Sequence, residues 1–106
     1  MYFFKTTDQF TIDEGEKAAQ RIPGAVLLDV RTPEEYGQGH LASAMLIPLD
    51  SLQNILIEIP EKSTPLLVYC RSGRRSGIAA TRLGQLGYSQ VRNIGGVLDY
   101  HGTLVK

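Results

Sequence analysis

Apolar residues in this chain follow two rhythms. Short apolar runs at residues 25–30, broken by Asp29, and at 44–47 and 66–69, with a further strand candidate from Val91 to Ile94, alternate with stretches where apolar side chains recur every three or four positions. Continuous runs of this length predict strands buried on both faces of a parallel sheet, and the spaced stretches predict helices that bury one stripe. The boundaries between them carry helix signals. Thr11-Ile12-Asp13-Glu14 is a capping-box pattern and opens a helix that ends near Arg21, before Pro23-Gly24. Thr32 caps a second helix, Pro33 takes its first position, Glu34 and Glu35 fill its first turn, and Gly37 and Gly39 stop it. Asp50 can cap a third, with Leu52, Ile55, Leu56 and Ile59 on one face.

A fourth helix is predicted from Ser76 to Leu86, burying Ala79, Leu83 and Leu86, with Gly87 at its C′ position. Gly95-Gly96 reads as a tight turn, and residues 97–100 as a short closing helix. Strands alternate with helices throughout, so the class is α/β, with a mainly parallel four- or five-stranded sheet. Tyr2 to Lys5 would supply the fifth, edge strand.

Composition narrows the picture. With 106 residues the chain makes one domain, residues 1–106, with a single core. Eleven basic and eleven acidic residues cancel, which argues against nucleic acid as a partner. No stretch reaches the ~20 apolar residues of a membrane span, and the N-terminus lacks the pattern of a signal peptide. The single cysteine cannot form an intramolecular disulfide, and no paired Cys/His spacing suggests a metal. A reactive free thiol is easiest to keep in a reducing compartment, so a cytoplasmic location is expected; a processed periplasmic form would have the same sequence.

Positive charge is local instead. The stretch PLLVYCRSGRRSG, residues 65–77, delivers Cys70 at the end of an apolar strand and follows it with Arg71, Arg74 and Arg75. In parallel sheets ligands bind beyond the carboxyl ends of the strands. Ser72 and Gly73 are small enough to let the backbone curl round the sulfur, and the next helix presents its N-terminus to it. Inward N–H groups, the helix dipole and the arginines all favour thiolate over thiol. A lone cysteine at a strand end is often only a small buried hydrophobe. Clustered like charges have no use in a purely structural turn, so a reactive thiolate beside a small-anion site is the expectation.

The segments Asp29-Val30-Arg31-Thr32-Pro33-Glu34-Glu35-Tyr36, Gly39-His40-Leu41, Ile47-Pro48, Cys70-Arg71-Ser72-Gly73-Arg74-Arg75-Ser76 and Gly95-Gly96 occur in that order. Together they resemble a single-domain rhodanese over residues 10–102. The resemblance implies a rhodanese-like fold and thiosulfate sulfurtransferase chemistry. In that chemistry Cys70 would attack the outer sulfur of an anionic donor, carry it as a persulfide and pass it to cyanide or a thiol, a protein thiol among the options. No metal or organic cofactor is implied. Arg71, Ser72, Gly73, Arg74, Arg75 and Ser76 would surround the donor, Ser72 and Gly73 through backbone amides. Arg71 and Arg75 are the preferred anion binders, whereas Arg74 is equally readable as a solvated surface charge. Arg31 matches the family's Asp-x-Arg segment, where pairing with Asp29 competes with substrate contact. His40 reads as structural, His101 has no evident partner, and Tyr100 could stand where the family usually carries a rim aromatic. Two rivals remain: a sulfur-carrier or regulatory module of the same family, and a cysteine-dependent phosphatase or arsenate reductase. The latter enzymes use Cys, five residues, then Arg, a pattern that here ends on Ser76.

Overall fold

The computed structural model describes residues 10–106. The predicted edge strand at Tyr2 to Lys5 lies outside the described residues. Within them, four strands form one sheet: β1 (Val26–Asp29), β2 (Met45–Leu46), β3 (Leu66–Cys70) and β4 (Val91–Gly96). All pairings are parallel and the order is β2-β1-β3-β4. The chain goes outward from β1 to β2, then crosses back to β3 on the far side of β1. The reversal falls between β1 and β3, and a crevice forms at their carboxyl ends.

Alternation along the strands divides the core. Leu28, Leu66, Val68 and Cys70 face one layer, packed with Leu52, Ile55, Ile59, Ala79 and Leu83. Leu27, Leu67 and Tyr69 face the other, packed with Ile12, Ala18, Ile22 and Leu41. The first layer is covered by α3 (Ile55–Glu58) and α4 (Arg74–Gln85), the second by α1 (Ile12–Arg21). A side-chain period of two puts Cys70 and its neighbour Tyr69 on opposite faces, and this sends the sulfur toward α4.

The capping signals form as read. Thr11 and Thr32 each make a full capping box, with Glu14 and Glu35, at the starts of α1 and α2 (Pro33–Gln38). Three expectations are corrected. The third helix is a 3-10 turn, Leu49–Asn54, with Ser51 out of helical conformation inside it, running directly into α3. Asp50 does not cap it, and Leu56 is 41% exposed while Leu52, Ile55 and Ile59 stay buried. Gly95-Gly96 is not a turn: both glycines belong to β4, where a bulge opposite Val68 and Tyr69 skips Ile94. Finally, α4 starts at Arg74, two residues before the expected Ser76, because Gly73 at φ +101° closes the loop and serves as its N-cap. A 3-10 turn, Val97–Asp99, follows β4, and its Leu98 is 60% exposed.

Candidate active site

Only Arg71, Ser72 and Gly73 separate the end of β3 from the start of α4. So short a loop needs a left-handed residue, and Gly73 supplies it. No side chain caps α4, so its first-turn N–H groups have no local acceptor other than the sulfur. Cys70 Sγ accepts from the Gly73 N–H at 3.0 Å and stands 3.4 Å from the Ser76 hydroxyl. Cys70 itself is completely buried. Burial pushes its thiol pKa up, but the Ser76 hydroxyl and the N–H groups of Ser76, Gly73 and Ser72 outweigh it and hold the thiol below its ordinary value.

The loop rests on β4. The Leu98 N–H donates to the Arg71 carbonyl at 3.1 Å. A Cβ at position 96 would lie 2.0 Å from that same carbonyl oxygen, so the loop can occupy this place only above a glycine. Asn93 Nδ2 donates to the Gly73 carbonyl at 3.0 Å, and its Oδ1 accepts from Ser76 at 2.7 Å and from the Gly95 N–H at 2.9 Å. Nothing in the sequence singled out Asn93. Its spacing from the Gly95-Gly96 pair was the available signal, once that pair is read as the seat of the loop.

The arginines separate into two kinds. Arg75 is bound to Glu35 by two hydrogen bonds, at 2.7 and 2.9 Å, which ties α4 to α2. With Arg75 as first cause, opposed by burial and aided by Thr32, the Glu35 carboxyl falls to about 2. Arg71 and Arg74 are exposed and make no side-chain hydrogen bond or ion pair among the described residues. Arg75, one of the two preferred anion binders, is thus paired with Glu35 while also feeling the Cys70 sulfur, and the guanidinium groups without a partner among the described residues are those of Arg71 and Arg74. Arg31 is 5% exposed and committed to Asp29 through Nε and Nη2, with Nη2 also on the Gly39 carbonyl at 2.7 Å. The Asp29–Arg31 pairing holds, and it leaves Arg31 lining, with Arg75, Thr32 and Leu49, a cavity of about 70 Å³ between the two strand ends.

Ser76, expected among the donor-binding residues, is buried beneath the sulfur and points to Asn93. His40 stacks on Tyr36 at 3.7 Å and pairs with Val105 through its backbone, consistent with a structural role. His101 does have a partner, Asp13, 2.6 Å away and too distant in sequence to be foreseen. Tyr100 does not reach the loop mouth; its hydroxyl donates to Glu16 of α1 at 2.6 Å. Among the described residues no cluster of His, Cys, Asp and Glu could hold a metal ion. No helix there is long and apolar enough to cross a membrane.

A parallel α/β sheet that delivers a buried, thiolate-favouring cysteine to a three-residue loop at its switch point defines a class of cysteine-centred anion site. The chain belongs to the rhodanese family of sulfurtransferases: the Rhodanese-like domain pattern matches residues 13–102. It is 42% identical over 80 residues to thiosulfate sulfurtransferase PspE of Escherichia coli (strain K12), covering 74% of this chain and 77% of that protein. Over 95 residues it is 37% identical to a sulfurtransferase of Allochromatium vinosum, covering 84% and 88%. Among solved structures, a rhodanese with anions from E. coli superimposes with a TM-score of 0.72 at 40% identity, covering 77% of this chain and 98% of that one.

Proposed function

We propose that this sulfurtransferase takes the sulfane sulfur of thiosulfate, or of a related anionic donor, and passes it to a thiophilic acceptor through a persulfide on Cys70. In the first step the Cys70 thiolate attacks the outer sulfur of thiosulfate. A Cys70–sulfur bond forms, and the bond to the inner sulfur breaks with its electron pair leaving on sulfite. In the second step cyanide or a thiolate attacks the outer sulfur of the persulfide, giving thiocyanate or a new persulfide and restoring the Cys70 thiolate. No general base is needed, because the nucleophile is already favoured as its anion. The two half-reactions predict ping-pong kinetics.

The observation that carries this reading is the sulfur cradle: N–H groups of Ser72, Gly73 and Ser76 converge on Cys70, Arg75 feels its charge, and Arg71 and Arg74 of the same loop and helix start are exposed with no side-chain partner among the described residues. A charge carried on an outer sulfur suits such a nest of amides. Free guanidinium groups draw in a dianion and stabilise departing sulfite. The anions named with the related E. coli structure support the same chemistry. Ser76 occupies the place of the arginine in the phosphatase pattern and lies buried under the sulfur, which disfavours that rival.

The test is an intact mass after incubation with thiosulfate and removal of excess donor, beside a Cys70→Ser control. The expected result is one added sulfur on the parent alone, discharged by cyanide. No added sulfur on a protein whose Cys70 is shown free and reduced would overturn the proposal.

A further inference from the structure

The Ser76 hydroxyl has a single proton to donate and three acceptors within reach. Asn93 Oδ1 is at 2.7 Å, the Gly95 carbonyl at 3.3 Å and Cys70 Sγ at 3.4 Å. Beside a neutral thiol the shortest contact takes the proton to Asn93, and the hydroxyl lowers the thiol pKa by turning to the thiolate. For Ser76 to stabilise a thiolate, its hydroxyl must turn from Asn93 to Cys70. Asn93 Oδ1 is not left empty by that turn, since the Gly95 N–H still donates to it at 2.9 Å.

We propose that Asn93 is a positioning residue that sets how readily the Cys70 thiolate forms, by competing with the sulfur for the Ser76 proton. This rests on the reading of Cys70 as the reacting thiolate and adds the group that governs its formation. The other contact of Asn93, to the Gly73 carbonyl, is backed by the Gly77 N–H, which donates to the same oxygen at 3.1 Å. Loss of the Asn93 side chain therefore leaves Gly73 anchored in α4 and leaves the Ser76 proton to the sulfur and the Gly95 carbonyl, of which a thiolate is the stronger acceptor because it carries the charge. Asn93 is itself exposed, so its replacement does not open the core. Among the described residues the charged groups on the elements facing the loop are Arg71, Arg74 and Arg75 of the loop and α4, Asp29 at the end of β1 and Arg31 after it, Glu35 of α2, Asp13 of α1, and Asp99 and His101 after β4; all of them remain in every variant below.

The experiment is a pH titration of the thiolate ultraviolet absorbance, whose one source in the chain is Cys70. Asn93→Ala and the bulkier Asn93→Leu both lack the acceptor, and both are expected to move the midpoint to lower pH by about 0.5 to 1. In a Ser76→Ala background, which itself raises the midpoint, the same substitutions are expected to move it no further. A midpoint unmoved or raised by loss of Asn93, or lowered equally in both backgrounds, overturns the proposal. A purely structural Asn93 would change the melting temperature without this dependence on Ser76. The titration needs no sulfur donor, so its failure is separate from failure of the persulfide test.

Discussion

β1 and β3 are neighbours in the sheet, run in the same direction and end side by side, and an arginine follows each. After β1, Arg31 folds back on Asp29 of its own strand, and the two buried charges satisfy one another. After β3 the chain offers no carboxylate. The group there is the Cys70 sulfur, whose thiol is raised by burial but held below its ordinary value by the Ser76 hydroxyl and backbone N–H groups, while Arg71 and Arg74 are exposed with no side-chain partner among the described residues. An arginine at a strand end is thus structural when its own segment supplies an acid, and open to a ligand when it does not. Arg75 is intermediate, because its acid comes from another helix.

The largest expected effect breaks the β1 side. Arg31→Met leaves the Asp29 carboxylate buried without its partner, at a cost of about 3–5 kcal/mol in urea unfolding. A loss below about 1 kcal/mol would mean that the pair is not holding this strand end. Gly96→Ala breaks the other side. Its new Cβ would meet the Arg71 carbonyl at 2.0 Å and displace the loop, so turnover with thiosulfate should fall about 100-fold with the circular dichroism unchanged. Near-parent turnover would show that the sulfur loop does not need this seat.

Replacing Arg71 and Arg74 together by alanine sharpens the contrast with Arg31. Stability should stay within about 0.5 kcal/mol, while kcat/KM for thiosulfate falls about tenfold, mainly through KM and less at high salt. A change in stability with KM untouched would reverse the assignment of free and structural arginines. The smallest effect is expected at the tie between α2 and α4. Glu35→Gln should cost about 1 kcal/mol at neutral pH, since the pair is partly exposed. Glu35 has its pKa lowered from 4.5 to about 2, so its contribution is complete above about 4.5 and is lost as pH falls through about 2. Urea midpoints of parent and variant should therefore converge in acid; a gap that persists at the lowest pH would assign the effect to something other than the charge.

Much of this was legible in the chain. Three apolar runs and the Val91–Ile94 candidate became the four strands, and the capping box at Thr11 and the cap at Thr32 set the starts of α1 and α2. Cys70 stood out because three basic residues follow it within five positions. Periodicity failed at Leu56, since the segment starts as a 3-10 turn through Asn54 and becomes α-helical only from Ile55, so one 3.6-residue stripe does not describe it. It failed also at Gly95-Gly96, since a bulge and a turn draw on the same residue and only strand pairing separates them.

The sequence by itself determined the α/β class, the nucleophile at a strand end and the positive charge beside it, because these depend on local propensity, apolar patterning and residue chemistry. Only the tertiary structure decided which arginines are free, that Glu35 takes Arg75, and that Asn93 and Gly96 shape the sulfur loop. Glu35 and Arg75 are 40 positions apart, and Asn93 and Ser76 are 17 apart. A hydrogen bond between groups so separated exists only once the sheet has brought its strand ends together. No local pattern encodes which of several possible partners a charged or polar side chain will meet there.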